Sequence, residues 1–167
     1  AISPYALMRM AFDQAFRREV FQRLRGGASL PPLRNSVWIH ASSAGEVRGA
    51  KTLIDLLKGQ PIILSTFTET GYELAERLAP AFRLPPDFPI WLKPLFDKFN
   101  PTALILVEAE LWPSLLCLCK RRGVPVLLVN GRISGKSFNR YRLIKPLFRW
   151  ITAPIKLFSV RTAVDAE

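Results

Sequence analysis

Four polar clusters interrupt otherwise apolar runs: His40-Ala41-Ser42-Ser43-Ala44-Gly45-Glu46, Ser65-Thr66-Phe67-Thr68-Glu69, Glu108-Ala109-Glu110 and Asn130-Gly131-Arg132-Ile133-Ser134. Together they hold the groups that acid–base chemistry and anion binding require. The small residues from Ala41 to Gly45 let backbone pass close to a ligand, and a helix starting there offers N–H groups to an anion. Glu46 in that loop suits a general base, because a hydroxyl is a poor nucleophile until a carboxylate removes its proton during attack. Ser43-Ala44-Gly45-Glu46 also spells a capping box, and the residues alone favour the cap. Thr66-Phe67-Thr68-Glu69 repeats that pattern and reads as a cap only.

Glu108 and Glu110 lie two apart at the end of an apolar run. If the strand persists they share a face and repel, unless a cation, a proton or hydrogen bonds intervene. One reading is ligand binding. The other has one carboxylate capping the helix near Trp112-Pro113 while its neighbour pairs with Arg132. His40, the only histidine, has no companion at metal-ligand spacing, so a satisfied buried role is expected and no metal. Trp112 reads as core. Gly131 to Ser137 mimics a phosphate-binding loop, but its glycines stand one residue too close together. Basic groups follow two of the clusters, Arg48 and Lys51 after the first, Arg132, Lys136, Arg140, Arg142 and Lys145 after the last. A few of them beside a ligand can hold phosphates.

These clusters need elements to carry them. Strands are expected at Val37–His40, Ile62–Thr66, Ala103–Val107, Val126–Val129 and Leu157–Val160. Helices are expected at Val47–Leu57, Glu69–Leu78, Trp91–Phe99, Trp112–Arg122 and Ser137–Ile151, the last with a break near Pro146. Alternating strands and helices imply right-handed crossovers and a parallel sheet with helices on both faces, a Rossmann-like α/β fold. Ligands of such sheets sit beyond the carboxyl ends of the strands, where all four clusters fall. Ahead of the sheet, Tyr5, Met8, Phe12, Phe16, Val20 and Leu24 recur at three- and four-residue steps among arginines. That spacing predicts an amphipathic basic helix over 5–25, ended by Gly26-Gly27 and followed by a Pro31-Pro32 linker. It suits either the membrane interface or packing on the domain.

The chain has 167 residues, 49% of them hydrophobic, enough for one compact domain. Its 24 Lys+Arg against 13 Asp+Glu, a net +11, favour an anionic partner: nucleic acid, a phospholipid surface or a phosphorylated small molecule. Nucleic acid has only this charge behind it. Cys117 and Cys119 are too close in a helix for a disulfide and read as reduced thiols. No apolar run approaches the roughly 18 residues that cross a bilayer. The start at Ala1 and the stop at Asp165-Ala166-Glu167 read as cut ends of a longer protein.

His40 to Glu46, then Glu108-Ala109-Glu110-Leu111-Trp112-Pro113, then Asn130 to Ser134 resemble, in order, the signatures of Kdo (3-deoxy-D-manno-octulosonic acid) transferases. Thr66 to Gly71 and Leu84-Pro85-Pro86-Asp87 are similar to family segments at corresponding places. The resemblance implies the amino-terminal, acceptor-side half of a GT-B glycosyltransferase. Residues 1–30 would be the helix and linker, 31–167 the Rossmann-like domain, and the donor-binding domain lies outside the chain. It further implies an inverting, metal-free transfer from CMP-Kdo to a lipid A precursor, with no cofactor, at the cytoplasmic face of the bacterial inner membrane. By the resemblance Glu46 becomes the base, and Ser42, Ser43, Gly45, Arg48, Thr66, Glu108, Glu110, Asn130, Arg132 and Ser134 surround the acceptor. Ser114 stands where Asn is usual, Gly131 where Ala is usual and Arg161 where Gln is common. Other readings are a non-catalytic module for anionic membranes and a P-loop-like nucleotide-binding domain.

Overall fold

The computed structural model describes residues 20–21, 23–108, 111–131 and 145–160. In chain order they form β1 (Val37–His40), α1 (Ala44–Leu56), β2 (Ile62–Thr66), α2 (Glu69–Ala75), β3 (Ala81–Arg83), α3 (Pro89–Phe99), β4 (Ala103–Val107), α4 (Pro113–Arg122), β5 (Val126–Gly131), α5 (Lys145–Thr152) and β6 (Ile155–Val160). The strands make one sheet in the order β3-β2-β1-β4-β5-β6, and every pairing is parallel. The order runs outward from β1 to β3, then restarts on the other side of β1 with β4. That reversal opens a crevice at the carboxyl ends of β1 and β4, where Rossmann-like sheets take their ligands.

The sheet is covered on both faces because its strands are apolar at consecutive positions, and alternate residues point to opposite sides. Trp38, Ile63, Leu104, Leu106, Val126 and Leu128 join Leu92, Leu95, Phe96, Phe99, Leu115 and Leu116 of α3 and α4 in one core. Ile39, Ile62, Leu64, Ile105 and Val107 join Val47, Ala50, Ile54 and Ala75 of α1 and α2 in the other. Trp38 anchors the first, tilted on Phe82 and Phe96 at 5.6 and 5.4 Å between ring centroids. Each fully buried side chain of this size contributes roughly 1.5–3 kcal/mol.

Most expected elements are present with shifted ends. α1 starts three residues earlier than expected because Ser43 caps it, and α2 stops three residues earlier, at Ala75. β3 went unpredicted. It has only three residues and one of them is Arg83, yet all are buried beside β2, a placement that only neighbours can dictate. Of the helix expected over 5–25, residues 20–21 and 23–25 are described; all are helical except Arg25, which already turns. The segment that follows lies on the domain. A Cβ on Gly26 would collide with the Arg83 carbonyl oxygen, and Gly27, at φ +74°, backs onto Leu95 and Phe99. Lys98 Nζ donates to the carbonyls of Gly27 and Ala28, while Leu30 and Leu33 pack on the core. Among the described residues no helix is long and apolar enough to cross a membrane.

Candidate functional site

The loop leaving β1 carries the candidate base. Ser43 is extended, at φ −122° and ψ 164°, and its hydroxyl accepts the Glu46 amide N–H while donating to Glu46 Oε1 at 2.8 Å. Glu46 Oε2 accepts the Ser42 amide N–H at 2.8 Å. This is a capping box that reaches one residue further back than usual, to the amide before the cap. Glu46 is half-buried and Gly45 exposed. A Cβ on Gly45 would meet only Ser43 Oγ, at 3.8 Å, so its outer side has room for an approaching molecule. Arg48 is exposed on the next turn of α1.

Beneath this loop His40 is 1% exposed and bonded through both ring nitrogens. Nδ1 lies 2.8 Å from Ser65 Oγ and Nε2 lies 3.0 Å from Ser42 Oγ. Trp38 Nε1–H donates to the same Ser65 hydroxyl at 2.7 Å. Burial pulls the imidazole down to a pKa of about 4, against a smaller upward pull from a backbone hydrogen bond at Ser65. His40 is therefore neutral at physiological pH, in the satisfied buried role expected of it. Among the described residues no three His, Cys, Asp or Glu side chains converge as metal ligands.

Two residues expected to face a ligand are turned inward. The Ser42 hydroxyl meets His40, and the Ser42 carbonyl accepts the amides of Phe67 and Thr68 and the Thr68 hydroxyl. Thr66 is fully buried, its hydroxyl directed at the Thr68 carbonyl. Both have the interior of the loop to satisfy, since a buried hydroxyl without a partner is costly. They build the site without lining its surface. The capping box expected from Thr66 to Glu69 does not form: Thr68, not Thr66, caps α2 through the Gly71 amide, and Glu69, at the first helical position, pairs with the buried Arg83 instead. Gly71 is required here. A Cβ there would crowd Thr68 Oγ1 at 2.9 Å and the α1 backbone at 3.2 Å, so glycine lets the first turns of α1 and α2 meet.

Across the crevice, β4 stops at Val107 and Glu108 turns into the left-handed region at φ +64°. The premise of a persisting strand, with Glu108 and Glu110 on one face, therefore does not hold. Asn130 adopts the same conformation at φ +58°, and because Val107 pairs with Val129 the two kinks are neighbours on the sheet. Non-glycine residues in this region cost of order 1 kcal/mol each and cluster at functional sites. Among the described residues the cap of α4 comes from Asp87 and not from Glu108. Asp87 Oδ2 and Oδ1 accept the Ser114 and Leu115 amides at 2.8 and 2.9 Å, and Ser114 Oγ donates to the Asp87 carbonyl. Burial pushes the Asp87 carboxyl up, against the downward pull of those bonds. Glu110, Arg132 and Ser134 lie outside the described residues, as does the loop beyond Gly131.

Trp112 joins the two sides. Half-buried, it packs against the core of α3 and α4, edge-on to His40 with centroids 5.5 Å apart and tilted against Phe67 at 5.7 Å. Its indole nitrogen is buried without a hydrogen-bond partner among the described residues. On the outer side of Phe67, the Arg23 guanidinium lies 3.9 Å over the ring, and Arg23 and Arg83 both donate to the Phe67 carbonyl. Sequence reasoning missed Asp87 and Arg23 altogether. Both act across tens of residues, and the Leu84-Pro85-Pro86-Asp87 similarity was the only signal for either. Cys119 is buried, its thiol pushed up to about 12 by desolvation, and both cysteines are free, in keeping with reduced thiols.

Comparison with known proteins extends these observations. A family model described as 3-deoxy-D-manno-octulosonic-acid transferase (kdotransferase) matches residues 15–167. A 3-deoxy-D-manno-octulosonic acid transferase of Bordetella pertussis is 38% identical over 128 residues, which cover 70% of this chain and 30% of the relative. The Haemophilus influenzae protein of the same name is 31% identical over 153 residues, 85% of this chain and 35% of the relative. A bifunctional glycosyltransferase/methyltransferase of Fusobacterium nucleatum is 32% identical over 140 residues, 78% of this chain and 22% of the relative. The chain thus spans only about a third, or less, of the length of these relatives.

Proposed function

Because this chain belongs to the 3-deoxy-D-manno-octulosonic-acid transferase family, we propose that it is the acceptor-side, base-carrying half of a glycosyltransferase. In this reading Kdo passes from CMP-Kdo to a lipid A precursor with inversion, no metal or cofactor takes part, and sequence outside this chain supplies the donor half. The observation that carries it is the Glu46 carboxylate, half-buried at the β1 end of the switch-point crevice and gripped at both oxygens.

An acceptor hydroxyl gives its proton to Glu46 as its oxygen bonds to the anomeric carbon of Kdo. The bond from that carbon to the phosphate oxygen breaks, and its electron pair leaves with CMP. Each carboxylate oxygen carries two lone pairs, so capping α1 and accepting a proton are compatible roles. The two donors from Ser42 and Ser43 fix the carboxylate in one orientation, which lowers the entropic part of the barrier. Glu108 and Asn130, strained on the opposite wall, together with Arg48, Gly45, Glu110, Arg132 and Ser134, are proposed to surround the acceptor.

Glutamine separates the two roles of Glu46, since Gln also completes a capping box but takes no proton. Glu46→Gln in the full-length enzyme is expected to lower CMP release, with CMP-Kdo and a lipid A precursor, at least about a hundred-fold. The melting temperature should stay near that of the parent. Native turnover would remove Glu46 from the mechanism.

An amphiphilic acceptor requires the crevice to approach a lipid surface, and the same rim supports that placement. Phe67, Phe88 and Ile90 are exposed on the carboxyl side of the sheet, and Arg23 lies over the Phe67 ring. Apolar side chains interleaved with arginine suit the interface of an anionic membrane. We assign this rim to the cytoplasmic face of the bacterial inner membrane, bound peripherally or through an amino-terminal anchor.

A further inference from the structure

We infer that His40 is a positioning residue for Glu46, held by a buried polar chain that runs from Trp38 through Ser65, His40 and Ser42 to the carboxylate. The inference rests on the reading of Glu46 as the base. The chain is continuous: Trp38 Nε1 to Ser65 Oγ at 2.7 Å, Ser65 Oγ to His40 Nδ1 at 2.8 Å, His40 Nε2 to Ser42 Oγ at 3.0 Å, and the Ser42 amide to Glu46 Oε2 at 2.8 Å.

A polar core that merely filled space would close on itself. This one leaves the core at Ser42, whose side chain is gripped by His40 and whose amide grips Glu46. The Ser42 carbonyl is fixed as well, by the Phe67 and Thr68 amides at 2.9 Å each. Ser42 is thus held at its carbonyl and, through His40, at its hydroxyl, which fixes the direction of its amide. The ring of Trp112 stands edge-on to the imidazole, and His40 itself is 1% exposed. It is thus walled off from substrate and acts on the reaction only through Glu46. Four polar side chains under a catalytic loop carry a desolvation cost that apolar residues would avoid, and orientation of the base is what they give in return.

The test uses the full-length enzyme carrying His40→Phe, His40→Gln or Ser65→Ala, assayed by CMP release. His40→Phe keeps a ring and removes both hydrogen bonds, whereas His40→Gln reaches Ser42 with a side-chain amide. Misplacing the base predicts a kcat about ten- to a hundred-fold lower in His40→Phe, with the KM for CMP-Kdo changed by less than about two-fold. His40→Gln should recover most of the lost turnover. Ser65→Ala, remote from any substrate, should lower kcat in the same pattern. Circular dichroism and thermal melting normalise each rate to folded protein. Native kcat per folded molecule in both His40→Phe and Ser65→Ala overturns the inference, as does a His40→Gln enzyme no better than His40→Phe. If His40→Phe does not fold, Ser65→Ala decides, and an unchanged kcat there is fatal. Turnover by Glu46→Gln would sink the base reading itself, whereas an inactive Glu46→Gln beside native His40 and Ser65 variants sinks only this proposal.

Discussion

At neutral pH the His40 imidazole is uncharged, because burial holds its pKa at about 4 against 6.5 in the unfolded chain. The neutral ring accepts at one nitrogen and donates at the other, whereas the imidazolium donates at both, so the serine hydroxyl that donated to the ring must turn to accept from it. A depressed folded-state pKa stabilises the fold fully above 6.5 and loses that contribution as pH falls toward 4. The size of the effect is about 3 kcal/mol, discounted for any relaxation of the site. Urea unfolding midpoints at pH 7 and pH 4.5 should show the parent losing more stability than His40→Gln over this interval. Equal losses would mean that His40 does not titrate with the fold. Glu46 shows why the residues alone favour the cap and leave the second role unmarked. Both roles need an acceptor at the first turn of α1, and the printed sequence of a capping box is the same in either case.

Among the elements, α4 depends most on a partner distant in sequence. Pro113 sits at its start with no amide to satisfy, Trp112 offers no capping oxygen, and Asp87 supplies both caps from the loop between β3 and α3. Asp87→Ala should therefore destabilise the protein by about 1–2 kcal/mol, read as a lower urea midpoint. Trp112 borders this cap, so the same variant should also alter tryptophan fluorescence in the folded state. An unchanged midpoint would show that α4 is held by its buried leucines alone. The expectation that a glutamate near 108–110 would cap this helix was reasonable by distance along the chain. For Glu108 it does not hold, because β4 ends there in a left-handed residue, and Glu110 lies outside the described residues. The helices themselves were legible from Val47, Ala50 and Ile54 in α1, and from Leu92, Leu95, Phe96 and Phe99 in α3, since their spacing matches the helical repeat.

For the whole molecule, the proposed membrane contact combines net positive charge with exposed apolar side chains. The chain carries +11, and the exposed Phe88 and Ile90 at the start of α3 lie on the same carboxyl side of the sheet as Glu46. Flotation with vesicles rich in anionic lipid should carry the protein upward, and about 0.5 M salt should weaken that binding by screening the arginines. Ile90→Asp should weaken it further at constant salt. Equal flotation with neutral vesicles, or no effect of Ile90→Asp, would place the lipid contact elsewhere. Binding that survives Glu46→Gln unchanged is expected too, because docking to a membrane and deprotonating an acceptor use different groups.

The alternation of strands and helices, the parallel sheet covered on both faces, and the placement of four polar clusters at strand ends are all written in local residue patterns. Hydrophobic periodicity is local, and burial on two faces leaves continuous apolar runs that can be read directly. Ser43 is legible as a cap too, since a capping box spans only one helical turn. Long-range packing makes β3 a strand, brings Asp87 to cap α4, turns Ser42 and Thr66 inward, and leads from His40 through Ser42 to Glu46. Each of these depends on contacts between residues far apart in the chain, and no local spacing encodes which distant partner will satisfy a buried polar group.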